Sequence, residues 1–235
     1  MEIVKLNYFG WVIAVFLLAS CETNDDPEPA PVLETLGFIG TLPDGSEFGS
    51  TNTKSATGLG VSGINNVYSG RYIASLRNFE SGWSLGLESP IVTFNEEWPR
   101  NLGEGDGVEL KAKFKKAYSF DLLVEKLKSE EKKCNADPSY TAFDNFRITL
   151  TQQDEYFTYV NDINDRIKPD KVKILLVELG FEQNLDGQDV RKIEVVVEIE
   201  LGLRTADGGV PQSGLLKGIA RFKYREDIYS GEFEE

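Results

Sequence analysis

Residues 193–203 read Ile-Glu-Val-Val-Val-Glu-Ile-Glu-Leu-Gly-Leu, with every odd position apolar and Glu194, Glu198 and Glu200 on even ones. A period of two with acids on one side predicts a half-solvated antiparallel strand. Leu216 to Tyr224 repeats the design with Lys217, Arg221 and Lys223 outward, so neighbouring rows of opposite charge can pair across strands. Val172 to Phe181 is apolar on both parities (Ile174, Leu175, Leu176, Val177), which predicts a more central strand. Residues 36–39, 72–76, 83–87, 108–114 and 146–150 are further candidate strands, and Trp83, inside one of them, is expected in the core. Asp44-Gly45, Asp106-Gly107, Asp186-Gly187 and Asp207-Gly208 each separate apolar runs. Asp-Gly supplies the positive φ of tight hairpins, so these pairs predict a meander of antiparallel strands.

Two segments break the period. Residues 119–133 carry Phe120, Leu123 and Leu127 at helical spacing with Ser119 placed as N-cap. Thr151 to Asp154 resembles a capping box ahead of Tyr156, Val160, Ile163 and Ile167 on one helical face, with Pro169 as a stop. This predicts a helix over about 152–167, against a competing strand over Glu155 to Val160. The fold class expected is mainly β, an antiparallel sandwich or barrel-like sheet with two short helices.

The amino terminus departs from this pattern. Phe9 to Ala19 is an uncharged, mostly apolar run, too short to span a bilayer, which takes roughly 20 residues, but the length of a signal-peptide core. It ends in Leu18-Ala19-Ser20-Cys21, which resembles the lipobox of bacterial lipoproteins. The resemblance implies cleavage before Cys21 and diacylglyceryl attachment to it, with three acyl chains on the mature protein. Two or more chains anchor stably where a single one does not. Residues 21–31 hold four acids and three prolines and read as an extended tether. The early acids Glu22, Asp25 and Asp26 resemble the export signal of surface lipoproteins of the Bacteroidota type, which implies the outer face of the outer membrane, with the periplasmic face as the alternative. Residues 32–235 are then expected to form a single β-rich domain, with a possible sub-boundary at the polar stretch 95–107.

Composition narrows the chemistry. The 235 residues carry 25 Lys+Arg against 39 Asp+Glu, a net charge of -14, and no His. Clustered cations neutralise phosphates, so this acid excess argues against a nucleic-acid partner. The lack of His removes Ser-His-Asp and Cys-His nucleophile systems and His-ligated metals. Cys134, the second cysteine, has no disulfide partner once Cys21 is lipidated; Lys132 and Lys133 beside it would lower its pKa. Gly58-Leu-Gly-Val-Ser-Gly63 matches the dinucleotide fingerprint but lacks the helix that should follow, and reads as glycine-rich strand and turn. Asn161-Asp-Ile-Asn-Asp165 offers calcium-type oxygens without EF-hand spacing. No cofactor or metal is expected.

One stretch combines an aromatic ring with hydrogen-bonding groups in a polar loop. Glu96, Glu97, Trp98, Arg100 and Asn101 could stack on and bond a sugar ring or an envelope-protein partner. The reading is a membrane-anchored, non-catalytic binding protein. A carbohydrate-active hydrolase using paired carboxylates such as Glu96 and Glu97 is one alternative, and a structural subunit of an envelope assembly is another.

Overall fold

The computed structural model describes residues 33–49, 53–64, 67–95, 106–142, 145–152, 157–160, 167–205 and 213–227. Among them, in chain order, are β1 (Gly37–Thr41), β2 (Thr53–Ile64), β3 (Val67–Asn78), β4 (Trp83–Glu88), β5 (Val92–Asn95), α1 (Asp106–Ala117), α2 (Phe120–Ala136), β6 (Arg147–Gln152), β7 (Phe157–Val160), β8 (Ile167–Gln183), β9 (Asp189–Thr205) and β10 (Ser213–Arg225). All lie within one unit, Leu33–Glu235.

The strands form a sandwich of two antiparallel sheets. One sheet runs β8-β9-β10-β1 and the other β2-β3-β4-β6-β7, with β5 beside β4 on the same edge of β3. A thin ladder joins them, Tyr159 opposite Thr205 and Val160 opposite Arg204. The alternation in 193–203 does what the pattern predicts. Ile193, Val195, Val197, Ile199 and Leu201 are fully buried, sharing one core with Phe222 and Tyr224 of the neighbouring β10 and with Tyr72, Leu76, Leu85, Leu87, Ile148 and Leu150 of the other sheet. Trp83, at the start of β4, is in that core as expected.

The turns follow the Asp-Gly chemistry at two described sites. At Asp44-Gly45 and Asp186-Gly187 the glycines hold φ of 82° and 74°. In each, the glycine N–H returns to the carbonyl three residues back, Leu42 in one and Asn184 in the other, both at 2.9 Å. This is a type I turn closed by a left-handed residue. Asp207-Gly208 lies outside the described residues. Asp106-Gly107 opens α1 and makes no hairpin.

Helix α2 begins where its cap predicts: Ser119 Oγ accepts from the Leu122 N–H at 3.2 Å, and Phe120, Leu123 and Leu127 are buried. Three other expectations are corrected. The helix over 152–167 does not form: β6 ends at Gln152, Phe157–Val160 is a strand paired to Thr149–Gln152, and Ile167 opens β8. The ladder to the preceding strand, with the remote Arg204 and Thr205 on the other side, overrides a helical spacing of apolar residues there, as β-forming Phe, Thr, Tyr and Val allow. The strand over 108–114 is instead helix α1, because Glu109 to Lys113 are strong helix formers and Lys115 and Lys116 suit its last turn. Phe114 seats this helix by setting one edge of its ring against Gly70 of β3, where a Cβ would come within 2.2 Å of it.

The third correction concerns β8, which among the described residues pairs with β9 alone and is an edge strand. Its apolar residues fall on both parities because a register shift between Ile174 and Leu176 moves the inward set from one parity to the other. Part of its open edge is covered. The Val172 N–H donates to Thr141 Oγ1 at 2.9 Å and the Ala142 N–H donates to the Val172 carbonyl at 2.7 Å. Further along, the Val177 N–H donates to Glu131 Oε1 of α2 at 2.8 Å, and Lys128 Nζ donates to the Val177 carbonyl.

Candidate functional site

The segment 96–105 connects β5 to α1, and the described residues on either side fix where it starts and stops. Asn95 is held in register opposite Val67. Phe94, one residue earlier, stacks on Tyr68 with ring centroids 5.7 Å apart and meets Phe114 of α1 at 6.3 Å. The strand before and the helix after are therefore packed together through two aromatic rings. Glu96, Glu97, Trp98, Arg100 and Asn101 lie outside the described residues, as do Cys21, the expected signal peptide 1–20 with its apolar run Phe9 to Ala19, the tether 21–31 and Asn161 to Asp165.

Beneath this loop base sits a cluster of phenols. Tyr72 Oη donates to the Tyr118 carbonyl at 3.0 Å, and the Tyr118 and Phe114 rings meet Tyr72 at 5.2 and 5.4 Å. Burial pushes Tyr118 up to about 12 and raises Tyr72 and Tyr224 well above the usual phenol value. All three phenols are neutral near pH 7; Tyr72 and Tyr224 donate to backbone carbonyls, those of Tyr118 and Leu87.

The outer face of the β8-β9-β10 sheet carries the charge rows that the alternation predicts. Lys217 meets Glu200 at 3.3 Å, Arg221 Nη2 meets Glu194 at 2.6 Å, and Lys171 meets Glu198. The rows extend to β8, where Arg221 also pairs with Glu178, and Glu182 takes Lys223 at 3.1 Å and Arg225 at 3.2 Å. Arg221 and Lys223 are only 8% and 7% exposed, so these cations are largely withdrawn from water. Arg221 Nη1 also donates to the Leu33 carbonyl at 2.9 Å, fastening the start of the described chain to this face. Burial works against the Glu194 carboxylate, but hydrogen bonds from Lys192 and Arg221 prevail and hold its pKa below the usual value. It stays ionised and acts as a fixed counter-ion.

A groove of about 260 Å³ runs along this face, lined by Glu178, Leu179, Gly180, Lys192, Glu194 and Arg221. Beside it, Leu179, Phe181 and Leu185 are 59%, 69% and 94% exposed. This edge of β8 was not among the sequence candidates. Glu178 and Glu182, on the parity opposite Leu179 and Phe181, carried the signal for the charge rows, but the both-parity apolar run concealed the edge.

The remaining sequence motifs are placed as follows. Gly58 to Gly63 lies within strand β2 and pairs with Ile73 to Tyr68, as a glycine-rich strand. Cys134 is buried against β8; burial pushes its thiol up and outweighs the lowering by Lys133 and Lys173. The expected lowering by adjacent lysines is thereby reversed. Among the described residues no group of three or more Cys, Asp and Glu side chains is placed to hold a metal ion, and no helix is long and apolar enough to cross a membrane. The chain matches no protein family, no curated protein and no solved structure.

Proposed function

We propose that this chain is an envelope lipoprotein, anchored to the outer membrane through lipid on Cys21 and facing the cell surface, whose β-rich domain acts by binding a glycan or another envelope protein. The contact is the segment carrying Trp98, with Glu96, Glu97, Arg100 and Asn101 around it. The observation that supports this reading is the packing of Phe94 on Phe114, which roots both flanks of that segment in the core. A polar, aromatic-bearing loop on a rigid support is where β domains place binding residues. Fractionation of cells carrying Cys21→Ala tests the anchor: release from the membrane fraction or blocked maturation is expected, and normal processing with retained attachment would overturn it. A glycan and envelope-protein binding screen, with Trp98→Ala in parallel, tests the contact.

A second reading, a structural subunit of an envelope assembly, is favoured by one observation. Leu179, Phe181 and Leu185 crowd the unpaired end of an edge strand. Exposed apolar edges of this kind are templates for pairing with another chain.

A further inference from the structure

Strand β8 is capped along one part of its open edge and open along the next. At Val177 both backbone groups point away from β9, since the N–H reaches Glu131 and the carbonyl receives Lys128. Antiparallel ladders alternate, so the N–H and C=O of Leu179 and Phe181 point the same way, while Glu178, Gly180 and Glu182 bond inward to β9. Among the described residues nothing caps Leu179 or Phe181. The helix side chains that blunt the edge at Val177 stop short of them.

From this we infer that β8 between Glu178 and Gln183 accepts an added strand from a partner protein, an extended segment in which apolar residues alternate with Lys or Arg. This rests on the second reading above and names the partner's chemistry. Four free backbone groups on Leu179 and Phe181 supply the ladder bonds, as in β-strand addition generally. Apolar partner residues lie beside the exposed Leu179 and Phe181 side chains on one face. The intervening residues lie on the other face beside Glu178, whose side chain is half exposed although Arg221 touches it. Asp186 and Asp189 are exposed at the hairpin, and Asp121 of α2 is 76% exposed nearby, in contact with Arg191. The cations of this region each pair with a carboxylate, Arg191 with Asp121 and Glu226, Lys192 with Glu194 and Lys128 with Glu131, so among the described residues the charges left uncompensated beside this edge are the exposed Asp186 and Asp189. The edge therefore presents carboxylates to an arriving chain and favours a cationic one. A second copy of this protein would set the same carboxylates against themselves, each chain carrying a net charge of -14.

The experiment uses the purified protein and a fluorescein-labelled octapeptide in which valine alternates with lysine. Its controls are the valine–glutamate counterpart and a scrambled peptide of the same composition as the lysine one. Fluorescence polarisation should show the lysine peptide binding at least tenfold tighter than either control. Hydrogen exchange should show the Leu179 and Phe181 amides protected only when it is bound. Phe181→Pro removes one outward N–H at an edge position where Pro is tolerated; it should weaken binding at least tenfold with an unchanged thermal melt. Should that variant fold poorly, the exchange footprint on the wild type decides alone. Absence of binding, equal binding of the controls, or protection elsewhere would overturn the inference. So would a wild-type dimer that dissociates in Phe181→Pro, which would make the occupant a second copy. A Trp98-dependent ligand found alongside a silent edge would leave the loop reading standing.

Discussion

The Tyr224 hydroxyl donates to the Leu87 carbonyl at 2.9 Å, tying β10 of one sheet to β4 of the other through the interior. Tyr224 is fully buried, and its ring packs in the same core as Phe222 and Leu87. A single side chain thus spans the sandwich and satisfies its polar end on the far side, as buried phenols usually do. Tyr224→Phe keeps the ring and removes the hydrogen bond, and should cost about 1–2 kcal/mol. Tyr224→Ala should cost about 3–5 kcal/mol, because it also opens a cavity. Urea unfolding midpoints of the two variants measure the difference; an unchanged midpoint in Tyr224→Phe would show that the hydroxyl contributes nothing.

A second bond between the sheets lies at their margin. Thr57 Oγ1 of β2 donates to the Lys223 carbonyl at 3.1 Å and accepts from the Arg225 N–H at 3.1 Å. Strand β1 pairs with β10 only from Lys217 to Arg221, so these groups lie just past the end of that ladder. One hydroxyl thereby does part of what a closing backbone ladder would do. Thr57→Val should destabilise by about 1–3 kcal/mol by leaving both backbone groups unsatisfied, and Thr57→Ser should restore most of the loss. Thermal melts of the three proteins check the ordering.

Acid should weaken the β8-β9-β10 face. The Glu194 carboxyl is held below its ordinary value of 4.5 in the folded protein, against burial, by Lys192 and Arg221. A depressed folded pKa contributes stability that is fully present above the unfolded value and is lost as pH falls through the folded value. Stability should therefore decline below about pH 4.5 as this pair is neutralised. Glu194→Gln should lower stability at pH 7 and flatten that acid limb. Urea titrations at pH 7 and pH 3 measure it; an unchanged pH dependence in the variant would contradict the assignment.

Cys134 should be slow to react. Its side chain is 5% exposed and its thiol pKa is raised, first by burial. Modification must wait on local opening, so labelling with a disulfide reagent at pH 8 should run at least about a hundredfold slower than for an unfolded chain. Denaturant should abolish the difference. Rapid labelling of the native protein would place the thiol in contact with solvent.

These features differ in how far the chain itself announces them. Ser119 ahead of Phe120, Leu123 and Leu127, and Asp186-Gly187 between two apolar runs, are local signals whose partners lie a few residues away. They translate directly into a helix start and a hairpin. The charge rows of β9 and β10 are equally readable, because Glu194 and Arg221 sit on strands whose faces the alternation fixes. Phe157–Val160 is different: its partners are Thr149–Gln152 and the distant Arg204 and Thr205, and its apolar residues also fit one face of a helix. In 108–114 the alternation pointed to a strand while helix propensity decided the outcome. For Val172 to Phe181, a register shift imitated a doubly buried strand, so the edge at Leu179 and Phe181 was hidden. As for the stretch proposed to bind, Trp98 and its neighbours stand out only as an aromatic among polar residues, and the fold adds the packing of Phe94 on Phe114 at its flanks.

The most direct test of the binding account is the affinity of one ligand for two proteins. A glycan and envelope-protein screen with the wild type supplies the ligand, and its dissociation constant is then measured for wild type and Trp98→Ala. Loss of an aromatic anchor should cost about 2 kcal/mol, roughly thirtyfold in affinity. A thirtyfold weakening with an unchanged melting temperature is the result predicted. Equal affinity of the two proteins for that ligand would contradict the assignment of this loop as the site.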